Sequence, residues 1–461
     1  MKPLALLLLS TLAACAQIAV DWDANKAEIL RHYRALVQID STAGNETKVV
    51  DYLRTVLETE GIPTQTFALD PARANLVARL KGNGAKRPLL ILAHTDVVGV
   101  QREKWPVDPF GAVMQDGYIW GRGSRDDKPV LAANLVTMLL LKRMNLPLDR
   151  DVIFLAESGE EADPFGVGIN FMVDQHFDSI DAEFALTEGG GATLEGNRVT
   201  IMNIGTAEKL PARARLVATG VAGHGSVPRL DNPLLHLGAA LDKIGKWEPP
   251  MKLNDTTRTY FEKLAQIAPP ADAQRFRDLL APARSASVQR YFAEKEPKFY
   301  SMLRTSVVPT MLKAGVGTNV IPSEAEATLD IRAVPGEDIP AFYAEMAKVI
   351  NDPAVKVVPI PATRPASPAS RLDTEMYRAL ERVSKRMYPN AAVIPSMSTG
   401  ASDQAQLRAK GIQSYGLGPA STDDDTSNYG AHGDVERLSE SSLYPFVEFV
   451  WNAVIEVAAH R

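Results

Sequence analysis

Short apolar runs alternate with helical periodicities along most of the chain. Asn75–Leu80, Leu89–Ala93, Val152–Ala156, Phe184–Leu186 and Val199–Ile204 are compact and rich in branched or aromatic residues, the pattern of buried strands. Between and before them lie stretches with apolar residues at helical spacing. Lys26–Val37 and Glu46–Leu57 predict two helices, the second with Asn45 as its cap and Gly61 as its stop, and Val130–Leu141 predicts a third between two of the strands. Strands that alternate with helices in this way predict an α/β domain, a central sheet with helices on its faces.

The pattern changes near residue 210. Leu210–Thr219 and Glu324–Arg332 alternate apolar and polar positions like half-exposed strands, and a charged helical stretch, 257–300, lies between them. These features predict a separate α+β domain over 210–360, inserted into the main domain. The proline-rich run Pro359–Pro368 reads as the return linker. The main domain then comprises 22–209 and 369–461, and its second part carries two helical patterns, 374–387 and 440–459.

Composition narrows the options. With 461 residues, 45% hydrophobic and 23% charged, the chain is long enough for more than one core and is not a disordered composition. A net charge of −6 without a basic stripe argues against nucleic acid as a partner. The first residues stand apart: Lys2 precedes an apolar stretch that ends in Leu12–Ala13–Ala14–Cys15. Such a segment is too short to span a bilayer stably and has the form of an export leader over residues 1–15. Its end resembles a bacterial lipobox, in which the cysteine carries the lipid; simple cleavage near Ala14–Ala16 is the alternative. The expectation is an exported protein, periplasmic or held at the membrane only by a lipid anchor on Cys15. That residue is the sole cysteine, so neither an internal disulfide nor cysteine catalysis is available.

Chemistry gathers at the ends of the apolar runs. The run Leu89–Ala93 ends in His94–Thr95–Asp96, and residues two apart on a strand share a face. A Gly-rich loop, Gly121–Ser124, leads to Arg125, Asp126 and Asp127. Glu160 and Glu161 follow the strand Val152–Ala156, Glu188 follows Phe184–Leu186, and His432 lies in a Gly-containing turn near the C-terminus. Each has an ordinary reading, a solvated acidic pair, a helix cap or a surface histidine. Together they do not, because clustered buried carboxylates repel unless cations bind them. Two histidines with several carboxylates suit a two-metal site, with ions about 3.5–4 Å apart. The motifs of zincins, serine hydrolases and P-loop proteins are missing.

The ordered set His94-Thr-Asp96, Gly-Arg-Gly-Ser-Arg-Asp126-Asp127, Glu160-Glu161, Thr-Glu188-Gly and His432-Gly resembles the M20 family of co-catalytic zinc peptidases and amidohydrolases. The likeness is greatest to its Gly-X carboxypeptidase and N-acyl-amino-acid hydrolase branch, through Trp105–Gly111 and the long helical insert. The resemblance implies a zinc-peptidase catalytic domain with a mixed sheet, and a lid that also serves dimerisation. It implies Asp126 as the carboxylate bridging two zinc ions, with His94 and Glu188 on one and Glu161 and His432 on the other. Manganese or cobalt would also suit these ligands. It implies Glu160 as general base, Asp96 as the residue that orients His94, and a cis peptide between Asp126 and Asp127.

In the inserted domain, Gly223–His224–Gly–Ser226 resembles the family's lid histidine, which stabilises the oxyanion, often in a partner subunit. Asn319 and Arg332 resemble the residues that hold a substrate carboxylate, a task suited to a guanidinium; for Arg332 a strand-surface salt bridge is the alternative. Gly400 stands near the position of the family's Gly-Thr-Asp, from which Gly400–Ala–Ser–Asp403 departs, and the resemblance implies that its backbone approaches the substrate carboxylate. The function implied is hydrolysis of an amide or peptide bond in small peptides or N-acyl amino acids that bear a free carboxylate. An aminoacylase or deacetylase is the alternative within enzymes, and a non-catalytic binding lipoprotein the alternative outside them.

Overall fold

The computed structural model describes residues 20–161 and 166–460. The expected leader, with Cys15, lies outside the described residues. Among these, no helix is long and apolar enough to cross a membrane.

A ten-stranded mixed sheet forms the main body. Leu89–His94 sits near its middle, parallel to Val152–Glu157 on one side and to Phe184–Thr187 on the other. Asn75–Leu80 and Thr64–Phe67 extend it antiparallel beyond Val152–Glu157. On the other flank Gln413–Gly416 joins Phe184–Thr187 to the long strand Arg198–Glu208. Every residue of Leu89–His94 and Val152–Glu157 is buried, as expected for strands covered by helices on both faces. Lys128–Arg143 packs beneath them and is buried along nearly its whole length, so its apolar residues run around the helix and not along one stripe. Trp22–Val37 and Glu440–Ala458 pack against it in turn.

The second helix, Thr47–Thr59, departs from the expected cap. Its N-cap is Glu46, with no side-chain capping bond, in place of Asn45. The Glu46 carboxylate is engaged elsewhere: it is buried, accepts Arg73 Nε at 2.6 Å and accepts the Gly44 N–H.

A second, five-stranded antiparallel sheet is built from Leu210–Pro211, Ala214–Thr219, Ser306–Ala314, Glu324–Ala333 and Val355–Pro359. Along Glu324–Ala333, Ala325, Ala327, Leu329, Ile331 and Ala333 alternate inward with a strict period of two. They meet Leu237 and Ile244 of helix Pro233–Lys246 and Met346 of helix Ile339–Ile350. Ser306–Ala314 is an edge strand, and its Val308, Met311 and Leu312 are exposed.

The charged stretch after residue 250 forms four helices, Asp255–Ile267, Pro270–Leu280, Ser285–Lys295 and Pro297–Met302. They have their own aromatic core of Phe261, Phe276 and Phe292 and pack on Ala392–Ser398 of the main sheet, chiefly through Ile394. Although they lie within the inserted part of the sequence, these helices therefore buttress the main sheet.

Candidate metal centre

Three adjacent parallel strands, Leu89–His94, Val152–Glu157 and Phe184–Thr187, end on the same edge of the main sheet. Side chains just beyond the carboxyl ends of such strands converge. His94 is the last strand residue and is paired in register with Glu157; Glu160 and Glu161 lie on the turn that follows, and Glu188 follows Thr187. The fourth contribution is the loop before helix Lys128–Arg143, which carries Asp126 in a cis peptide to Asp127.

The Asp126 carboxylate lies between two imidazoles. His94 Nε2 is 2.9 Å from Asp126 Oδ1, and His432 Nε2 is 3.3 Å from Asp126 Oδ2. His432 Nε2 is also 2.7 Å from Glu161 Oε1. One donor atom each from His94, Asp126 and Glu161 all lie within 4.8 Å of one another, the spacing of a metal-ligand set. His432 itself has a positive φ of 63°, which turns its ring back to the cluster from an otherwise exposed loop.

Electrostatics agree with this geometry. Burial disfavours a charged His94, yet its hydrogen bond to Asp126 and the nearby Asp96 carboxylate hold its pKa well above the usual imidazole value. Hydrogen bonds to Asp126 and Glu161 push His432 up to about 10. Burial pushes Glu188 well above the ordinary carboxylate range, and the Asp126 charge adds to it. Glu160 is pushed up by burial and by the charges of Asp403 and Glu188. More carboxylate is crowded here than two imidazoles can neutralise, and divalent cations relieve that excess. The donor set therefore fits divalent cations, with His94, Asp126 and Glu161 close enough to hold one.

The loops are held from behind. Asp96 is fully buried, and its carboxylate accepts the N–H groups of Gly159 at 3.0 Å, Glu160 at 3.2 Å and Glu161 at 2.9 Å. His94 Nδ1 lies closer to the Asp96 carbonyl oxygen, 3.0 Å, than to its carboxylate, 3.6 Å. The Asp96 carboxylate thus lies beside the His94 ring and also holds the Glu160–Glu161 turn.

Glu436, not picked out from the sequence, is buried beneath the Asp126 loop. It accepts Arg122 Nη1 at 2.7 Å and the N–H groups of Gly123, Arg125 and Asp126 at 3.1, 2.6 and 3.2 Å. Lys128, two residues beyond Asp126, is buried as well, with Nζ donating to Ser41 Oγ and the Thr95 carbonyl, and burial brings it down to about 7.

Beside the cluster opens a polar cleft of about 530 Å³, lined by Asp126, Glu188, Arg125, Asn203, Ser421 and, from the helical insert, Lys298. The remaining residues singled out from the sequence are not drawn into this group. His224 is exposed on a short two-stranded ribbon with Val320–Ile321, and its Nδ1 accepts from Ser226. Asn319 is exposed beside it, with its carbonyl accepting the Gly225 N–H. Arg332 is engaged by Asp330, Nε to Oδ2 at 2.9 Å, which is the salt-bridge arrangement left open for it. The Gly400 N–H is given to Ser398 Oγ.

Known proteins share this arrangement of chain and fold. Residues 90–456 match the model of Peptidase family M20/M25/M40. "Probable carboxypeptidase S-like 2" of Dictyostelium discoideum is 28% identical over 392 residues, 83% of this chain and 74% of that protein. The "N-fatty-acyl-amino acid synthase/hydrolase PM20D1" of Xenopus tropicalis is 27% identical over 371 residues, 78% of this chain and 71% of that protein. The crystal structure of an M20 family metallo-carboxypeptidase, Sso-CP2, from Sulfolobus solfataricus superposes with a TM-score of 0.67 at 19% identity, covering 93% of this chain and 98% of that one. A family match over residues 90–456, on a fold that brings donor atoms of His94, Asp126 and Glu161 within 4.8 Å of one another, makes this chain a hydrolase of Peptidase family M20/M25/M40.

Proposed function

We propose that the protein hydrolyses an amide bond in small peptides or N-acyl amino acids that carry a free carboxylate, with two divalent cations, zinc in the first instance and manganese or cobalt as substitutes. The observation that carries this reading is the Asp126 carboxylate held between His94 and His432. His94 and Glu188 would complete one ion's protein ligands with Asp126, and His432 and Glu161 the other's. Bound there, the ions would polarise the scissile carbonyl and bring the pKa of water toward neutrality.

The chain's own groups supply the rest. Glu160 takes the proton of the attacking water and delivers it to the leaving amine, a task for which a carboxylate raised by burial is suited. His224 stabilises the oxyanion; as it is exposed on the inserted domain, we infer that it serves the cleft of a partner subunit. The exposed apolar edge Ser306–Ala314 supports a homodimer through the inserted domain. Asn319 and Arg332 take the substrate carboxylate, Arg332 by exchanging Asp330 for it, while Gly400 has its N–H committed within its own turn. The leader directs export, with lipid attachment at Cys15.

The PM20D1 relative supports a second reading within the same chemistry, hydrolysis of N-acyl amino acids. A purely binding role on this scaffold has no use for Glu160. The test is a panel of dipeptides and N-acyl amino acids, assayed with bound metal measured. Turnover should follow metal content, vanish with chelator and return with zinc, and Glu160→Ala should keep its metal while losing nearly all turnover. A Glu160→Ala protein that works at the wild-type rate, or full activity without metal, would sink the reading.

A further inference from the structure

The return linker is more than a connection. Between the strand Val355–Pro359 and the helix Glu375–Met387, Arg364 turns into the main domain and is nearly buried there, 11% exposed. Its Nη2 donates to Glu160 Oε1 at 2.6 Å and to the Glu160 carbonyl oxygen at 3.4 Å. Its Nη1 donates to Asp403 Oδ1 at 2.7 Å. One guanidinium thus holds a side-chain oxygen and the backbone oxygen of the same residue, which fixes an orientation as well as a charge.

The partners of this clamp are themselves fixed. Asp403 lies next to buried Glu157, whose carboxyl is pushed well above its usual range by burial and by the Asp403 charge. Among the described residues Glu157 Oε2 and Asp403 Oδ2 are both buried without a hydrogen-bond partner, and the other oxygen of Asp403, Oδ1, is the one that takes Arg364 Nη1. The outgoing crossing to the inserted domain grips the same loop: Glu208 Oε2 accepts Ser402 Oγ at 2.6 Å and the Ser402 N–H at 3.1 Å. Both segments that join the domains are thus tied to residues 402–403, and one of them reaches on to Glu160.

We propose that Arg364 is a positioning residue for Glu160, holding one oxygen of its carboxylate from the segment that returns from the inserted domain and leaving the other oxygen for the proton. This rests on the reading of Glu160 as the general base. A buried pair of purely structural value would lower stability when broken and leave the kinetics of the folded fraction unchanged.

The experiment compares full-length wild type, Arg364→Met and Arg364→Lys, each loaded with zinc. The expected result for Arg364→Met is a fall in kcat of about tenfold or more with KM within about twofold and unchanged bound metal. Arg364→Lys should recover part of kcat, since one ammonium reaches Glu160 but does not span both carboxylates. A readout independent of turnover is the crystal structure of metal-free Arg364→Met, in which Glu160 should leave its wild-type orientation. Wild-type kcat in Arg364→Met, a change confined to KM, a loss explained by missing metal, or an unmoved Glu160 would each overturn the proposal. If Arg364→Met does not fold, Arg364→Lys carries the test, and a wild-type kcat there overturns it. Wild-type protein that cleaves no amide removes the general base and this inference together, whereas an active wild type matched by Arg364→Met removes this inference alone.

Discussion

His432 and Glu161 are 271 residues apart in the chain and meet at 2.7 Å, Nε2 to Oε1. The Asp126 carboxylate faces the same nitrogen at 3.3 Å, and the two acids push the His432 pKa up to about 10. His94, bonded to the opposite oxygen of Asp126, is likewise held well above its ordinary value. A metal ligand must be a neutral imidazole, so ions bound at the proposed site would displace these protons.

Metal binding at neutral pH should therefore release protons, about one to two per chain, and weaken as the pH falls. Calorimetric titration with zinc in two buffers of different ionisation enthalpy measures the release; no net release would contradict the assignment. In the metal-free chain the sign is opposite. The His432 value is raised on folding, so its ion pairs add stability that is full below about pH 6.5 and is lost as the pH rises through about 10. Thermal melts in chelator should show the midpoint falling across that window, modestly, because the side chain is 54% exposed.

Asp96 holds the turn as well as facing the imidazole. Its carboxylate takes three consecutive N–H groups, from Gly159 to Glu161. In Asp96→Asn one acceptor oxygen becomes a donor facing those N–H groups, and the turn that carries Glu160 and Glu161 must shift. Zinc affinity and kcat/KM should both fall by about 10–100-fold, as with other groups that orient metal ligands. Competition with a chromophoric chelator and steady-state kinetics measure the two; if neither falls, Asp96 does not hold the turn.

Glu436 has the same task for the Asp126 loop, with Arg122 and three backbone N–H groups converging on one buried carboxylate. Glu436→Gln puts an amide donor among donors and leaves Arg122 undercompensated. The expected cost is about 3 kcal/mol of stability, with weaker metal binding, since Asp126 loses the acceptor of its own N–H. Thermal unfolding of the metal-free protein, compared with wild type, checks the first part. A variant as stable as wild type would show that the loop holds without this carboxylate.

The strands, the long helices and the acids at the strand ends were legible because each signal is local. Leu89–Ala93 declares a buried strand from its own residues, and His94 and Asp96 follow at once. What the sequence hid depends on partners far away. Glu436 is one acid in a polar stretch until the Asp126 loop folds over it, and Arg364 sits in a proline-rich run whose composition speaks only of a linker. The insert was legible only in part: the helical stretch 257–300 marks helices but not the surface they cover, which is the main sheet at Ile394. The Asn45 cap failed for a related reason, as the neighbouring Glu46 is fixed by Arg73 from another part of the chain.

His224 gives the remaining prediction. It is exposed on the inserted domain, with its ring bonded to Ser226, and the proposed oxyanion role requires a cleft within its reach. If that cleft belongs to a partner subunit, His224→Ala and Glu160→Ala, each nearly inactive alone, should complement when mixed. A heterodimer then holds one site with an intact Glu160 on one subunit and an intact His224 on the other. With random exchange half the dimers are heterodimers with one working site of two, so activity should recover to about a quarter of wild type. Mixing after denaturation and refolding, with the dimer followed by light scattering, checks both halves of the argument. Activity that stays at the level of the separate variants, with exchange demonstrated, would assign His224 to its own subunit or to no catalytic part at all.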